Sequence, residues 1–163
     1  MIVLAATALA LALPSPCVVA GSEIGVEHDI ENRVQQLLTA YAADDKSAVL
    51  AMVETTHLTL YGSDIAEVVT GGDELVQMMT DDFALWRTAR FGAIQDLSVR
   101  AGGELATAFF NVPLSVGGQP PVIIRFATVW HHARGRWLLT QSSNSVPTVG
   151  SSAKEILKSN AKP

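Results

Sequence analysis

Apolar residues recur at two different spacings along this chain, and the change of spacing divides it into a helical half and a stranded half. Over Glu27 to Ala43, the residues Ile30, Val34, Leu37, Leu38 and Tyr41 follow one another at helical intervals. This predicts an amphipathic helix with Asp29 near its start. Asp44-Asp45 interrupts it and caps a second, short helix from Lys46 to Val53. His57 to Tyr61 alternates polar and apolar side chains, as a half-buried strand does, and Gly62-Ser63-Asp64 reads as a turn. Glu67 to Thr70 is a further short strand. Gly71-Gly72-Asp73 then opens a third helix, with Asp73 as N-cap and Leu75, Val76, Met79, Phe83 and Trp86 as its apolar stripe.

Beyond Arg90 the pattern is one of long strands: Phe91 to Val99, Glu104 to Val116, Pro121 to His132 and Arg136 to Val146. Turn residues separate them at Ala101-Gly102-Gly103, Gly117-Gly118-Gln119-Pro120 and Ala133-Arg134-Gly135. Such spacing suits an antiparallel meander. Ala106 to Val112 and Val122 to Trp130 are apolar on both faces of their strands, which predicts burial of both. One face fills the interior of the domain. The other calls for a partner sheet, most simply a second copy of the chain. From Thr148 to Pro163 the sequence turns polar and reads as a flexible tail.

The first twenty residues set a different boundary. No charged side chain precedes Glu23, and Ile2 to Leu13 is an apolar run ended by Pro14-Ser15-Pro16. Val18-Val19-Ala20 supplies the small residues of a signal-peptidase site, so residues 1–20 read as a secretory signal peptide and the mature chain as beginning at Gly21. The run is too short for a membrane span, so no stable membrane insertion is expected after cleavage. Pro16 before Cys17 is a poor fit to a lipid-attachment site. Cleavage after Ala20 removes the only cysteine, which leaves no disulfide framework and no cysteine for a zinc site.

Charge changes the picture in two ways. The chain carries 11 basic and 16 acidic residues, a net −5, which argues against a nucleic-acid partner. The two signs are also segregated. Up to Asp82 the chain has acidic residues with only Arg33 and Lys46 against them, and after Phe83 basic residues dominate. No metal site is expected, because His131 and His132 point to opposite faces of one strand while His28 and His57 are remote in sequence. No glycine-rich phosphate loop or nucleophile elbow is present, and no cofactor is implied.

Several phrases occur in a fixed order: Tyr61-Gly62-Ser63-Asp64, Glu67-Val68-Val69-Thr70-Gly71-Gly72-Asp73-Glu74 and Asp82-Phe83-Ala84-Leu85-Trp86. Arg125-Phe126-Ala127-Thr128-Val129 and Gly135-Arg136-Trp137 follow, leading to Gln141 through Pro147. Together they resemble the SnoaL-like branch of the nuclear transport factor 2-like superfamily, over roughly residues 27 to 148. The resemblance implies an α+β fold of the cystatin-like kind, a cone-like curved antiparallel sheet packed against three N-terminal helices. Residues 21–147 would form that domain. It also implies an apolar pocket inside the cone, and dimers recur in the superfamily. Function does not follow from it, since the fold serves isomerases, cyclases, dehydratases, ligand binders and association domains.

The sequence departs from two patterns of that superfamily. Many relatives carry a histidine where this chain has Ser143. The aspartate base of the ketosteroid isomerases falls on or near Gly62, with Asp64 the nearest acid, and Tyr41 stands too near the end of its helix to match their tyrosine. Catalysis is therefore not assigned. The residues expected near a ligand are Asp64, Trp86, Arg125, Trp130 and Ser143. Arg125 among Ile123, Ile124 and Phe126 could meet a ligand carboxylate, or pair with Asp82 or Asp64. Alternation places Ile124, Phe126, Thr128 and Trp130 on one face of their strand, and Arg125, Ala127, Val129 and His131 on the other. The expected partners are a small apolar molecule and a second copy of the chain. An isomerase- or hydrolase-type enzyme and a non-catalytic association module are the alternatives.

Overall fold

Three helices lie against one side of a seven-stranded curved sheet in the computed structural model, which describes residues 21–85 and 88–147. The expected signal peptide, Cys17, Trp86 and the C-terminal tail lie outside the described residues. Helix α1 spans Gly21–Ala42 and α2 spans Lys46–Leu50. Strands β1 (Thr59–Tyr61) and β2 (Val68–Thr70) lead to α3 (Gly72–Leu85). The meander follows as β3 (Arg90–Phe91), β4 (Gln95–Gly102), β5 (Leu105–Ser115), β6 (Val122–Ala133) and β7 (Arg136–Ser145). This is the expected α+β architecture. Among the described residues, no helix is long and apolar enough to cross a membrane.

The helices form where local chemistry satisfies their ends. Asp45 caps α2, its carboxylate accepting from the Ala48 amide at 3.0 Å and from the Ser47 hydroxyl at 2.7 Å. At α3 the N-cap position falls on Gly71, whose carbonyl accepts from the Leu75 amide at 3.3 Å, and Asp73 lies inside the helix; Glu74 Oε2 reaches back to accept from the Thr70 amide at 2.6 Å and the Thr70 hydroxyl at 3.0 Å. Gly71 precedes the helix at φ +92°, a conformation that favours glycine. The stripe of α1 is as the spacing predicts, with Ile30, Val34 and Leu38 buried. On α3 the buried residues are Leu75 and Met79, whereas Val76 is exposed and does not belong to the stripe.

The sheet runs β2-β1-β7-β6-β5-β3, with β4 pairing β5 beside β3. All pairs in it are antiparallel except β1 with β7, where Thr59 stands opposite Gln141. The segment expected as one strand from Phe91 to Val99 is divided into β3 and β4. Its irregularity centres on Asp96, held at φ +53° next to a bulge, with the Asn111 amide donating to its carboxylate at 2.7 Å. Arg134-Gly135, both at positive φ, turn β6 into β7.

On β5, Ala106, Ala108, Phe110, Val112 and Leu114 all face inward and are buried. On β6 the inward face is Ile124, Thr128 and Trp130, with half-buried Phe126 between them. Phe110 and Phe126 stack with ring centroids 5.0 Å apart. Trp130 has no exposed surface, and its indole N–H donates to Thr128 Oγ1 at 2.9 Å. Thr128 passes its own proton to the Ala108 carbonyl at 3.0 Å, so this buried polar chain is satisfied.

Candidate functional site

Strand β7 changes parity as it crosses the cone. Trp130 stands opposite Leu139 while Val129 stands opposite Gln141, so Thr140 is an extra residue, and its hydroxyl donates to the Val129 carbonyl at 3.1 Å. Before this bulge the odd-numbered Trp137 and Leu139 face the core; after it Ser142 and Asn144 do. An unbroken strand would have turned Ser143 inward. In the structure Ser143 is exposed on the outer face, and its two neighbours face the cone.

Inside the cone is a cavity of about 150 Å³. Its wall is mostly apolar: Val34, Leu37, Leu38, Leu75, Met78 and Phe126 represent the helices and the sheet that enclose it. Polar groups gather from three separate elements. Tyr41 comes from the last turn of α1, Asp82 from α3, and Glu67 from the loop between β1 and β2. Leu75, Met78 and Asp82 are spaced three and four residues apart, so a single face of α3 delivers all three. Ser63 and Glu67 are exposed as well as lining the cavity, and so form its rim.

Tyr41 donates its hydroxyl proton to Asp82 Oδ2 and packs edge-on against Phe83 and Phe91, at centroid distances of 5.0 and 6.4 Å. Burial pushes the Tyr41 hydroxyl well above the ordinary phenol range, and the bond to the Asp82 carboxylate pushes it further. Burial also raises the Asp82 carboxyl above the ordinary aspartate range. The Tyr41 bond opposes that shift, and the nearby charges of Glu67 and Asp81 add to it.

The loop that carries Glu67 is built by Asp64. The Asp64 carboxylate accepts from the Ala66 amide at 2.8 Å, and the Asp64 amide donates to Glu67 Oε2 at 3.0 Å. Gly62 donates to the Glu67 carbonyl at 2.7 Å, and a Cβ at Gly62 would overlap the Glu67 side chain. Asp64 is therefore an exposed turn residue, outside the cavity wall, that positions the carboxylate three residues on.

Of the residues expected near a ligand, Trp130 lines the cavity. Arg125 is exposed on the outer face of β6, opposite to the lining face, and the partner of Asp82 is Tyr41 instead. Trp86 lies outside the described residues. Tyr41, Glu67, Asp82 and Asn144 were missed. The signal for Asp82 was present, as an acid in register with Leu75 and Met78; Glu67 and Asn144 depended on a loop and a bulge that no spacing reveals. Among the described residues no cluster of metal-ligating side chains occurs. His131 and His132 diverge as expected, His131 meeting Glu54 at 3.0 Å and His132 packing on Trp137.

Solved structures share this architecture. A nuclear transport factor 2-like (NTF2-like) protein of unknown function from Pseudomonas putida KT2440 is 16% identical, with a TM-score of 0.70 over 78% of this chain and 91% of its own. A protein provisionally named a dehydratase of the NTF2-like family, from Streptomyces avermitilis, is 13% identical, with a TM-score of 0.69 over 77% of this chain and 99% of its own. One provisionally named a ketosteroid isomerase, from Parabacteroides distasonis ATCC 8503, is 15% identical, with a TM-score of 0.62 over 75% of this chain and 88% of its own. At these identities the likeness establishes the fold. No curated protein matches the chain by sequence. The SnoaL-like domain family matches residues 30–149, which takes in the helix stripes, the Glu67 loop and the whole curved sheet, and the chain belongs to that family.

Proposed function

We propose that this protein is an exported binding protein that holds a small apolar molecule inside the cone. The observation that carries the reading is the cavity itself, about 150 Å³ behind an apolar wall with its polar groups gathered from Tyr41, Glu67 and Asp82. Such a contrast is the usual build of a small-molecule site: apolar area for affinity, a few fixed polar groups for orientation. Native mass spectrometry of protein purified from its own host tests it. A retained small molecule, lost on denaturation, is the expected result; a bare chain that also takes up no apolar probe would contradict it. Export rests on the uncharged segment before Glu23 and the small residues Val18-Val19-Ala20. N-terminal sequencing of the native protein should begin near Gly21.

A second reading, an isomerase- or hydrolase-type enzyme, is favoured by one observation. The Asp82 carboxyl, raised by burial and bonded to Tyr41, is placed at the cavity as an acid or base would be. The provisional names of the Streptomyces and Parabacteroides proteins are those of enzymes of similar fold. The homodimer is supported by the outer face of the sheet, where Phe109 is 57% exposed and Leu105 54%.

A further inference from the structure

The charged groups at the cavity are all acids, and Ser63, Ser142 and Asn144 add neutral hydroxyls and an amide to its wall. The charged side chains lining it are Glu67 and Asp82, and among the described residues no Lys, Arg or His joins them. The Tyr41 proton is committed to Asp82. The Thr128 proton is committed to the Ala108 carbonyl, and the Trp130 N–H to Thr128. Asn144 Oδ1, in the same wall, is a buried acceptor with no donor among the described residues. An anion entering here would meet two carboxylates and no cation to receive it, so its desolvation would go uncompensated.

We infer that the cavity selects a molecule with an apolar body of about one aromatic ring and a protonated amine, and rejects the corresponding carboxylate. The inference rests on the reading of the cone as a ligand site. A cavity of this volume with an apolar wall holds a benzene-sized ring. An ammonium brings three N–H donors and no acceptor, which matches a wall that offers Asp82, Glu67 and the Asn144 carbonyl. Its charge also opposes the burial and like-charge repulsion that raise the Asp82 carboxyl. The amine sits toward the rim, where Glu67 is exposed, and the ring goes inward against Phe126 and Trp130.

Calorimetric titration near neutral pH with toluene, benzyl alcohol, benzylamine and benzoate tests this. Benzylamine should bind about tenfold or more tighter than toluene, as a charge-assisted hydrogen bond provides, with benzoate the weakest of the four. Asp82→Asn should bring benzylamine to within about twofold of toluene, both measured on the variant. Glu67→Gln, in an exposed loop, gives a smaller loss in the same direction and does not depend on the fold of α3. Benzoate or benzyl alcohol binding as tightly as benzylamine would overturn the inference, as would an amine preference that survives both substitutions. Toluene binding without amine preference removes the selectivity and leaves the apolar site standing; no binding by any probe removes both.

Discussion

Tyr41 in the last turn of α1 donates a hydrogen bond to Asp82 on α3, so two helices far apart in sequence are tied together at the wall of the cavity. The bond joins a phenol to a half-buried carboxylate, and neither group has an equivalent partner if the other is removed.

Tyr41→Phe should therefore destabilise the domain by about 1–2 kcal/mol, the cost of leaving the Asp82 carboxylate without its donor. In the Asp82→Ala background the same change should cost markedly less, and a double-mutant cycle by urea denaturation measures that coupling. Additive single effects would mean that the two side chains do not interact in solution.

The pH dependence of Asp82 has a defined sign. Its carboxyl is raised in the folded state, mainly by burial, so the fold binds this proton more readily than the unfolded chain does. Stability from this group is present at acid pH and lost as pH rises through the folded-state value. Asp82→Asn keeps an oxygen for Tyr41 but removes the charge. The variant should be more stable than its parent near neutral pH, with the gap closing on acidification toward about pH 4, the ordinary aspartate range. A gap of constant size across that window would contradict the burial of this carboxylate.

Much of the fold was legible because its signals are local. The stripe Ile30, Val34, Leu38 fixes the buried face of α1, and the alternation from Ile124 to Trp130 fixes which residues of β6 share a face. The pocket was less legible, for reasons that act at a distance. Thr140 shifts β7 by one residue only because β6 pairs beside it, which moves Ser142 and Asn144 inward in place of Ser143. Glu67 reaches the cavity because Asp64 folds its loop back, and Tyr41 matters because α3 brings Asp82 against it. A conspicuous charge misled in the opposite direction: Arg125 sits among apolar neighbours in sequence yet points to the outer face.

Thr128 offers a test of the buried polar chain. Thr128→Val keeps the shape but leaves the Trp130 indole N–H and the Ala108 carbonyl without the hydroxyl that joins them. The expected loss is about 1–3 kcal/mol, with a blue-shifted tryptophan emission retained, since the ring stays buried. A melting profile identical to the parent would show that water or another group satisfies the indole.

Self-association depends on the outer face. Phe109 is paired with Ala127 and, one strand further, Ser143, which places it on the outer side of the sheet. The parent should sediment as a dimer at micromolar concentration, and Phe109→Lys should shift it to a monomer with unchanged helix and strand content. A parent that sediments as a clean monomer would rule out the dimer.

The most direct test of the cone as a binding site uses its methionine methyls. Met78 lines the cavity, whereas Met52 and Met79 are buried in the core without lining it. On titration with toluene, the methyl resonance of Met78 should move and saturate while those of Met52 and Met79 stay nearly still. An unmoved Met78, or three methyls shifting together without saturation, would contradict the claim that the cone holds a small apolar molecule.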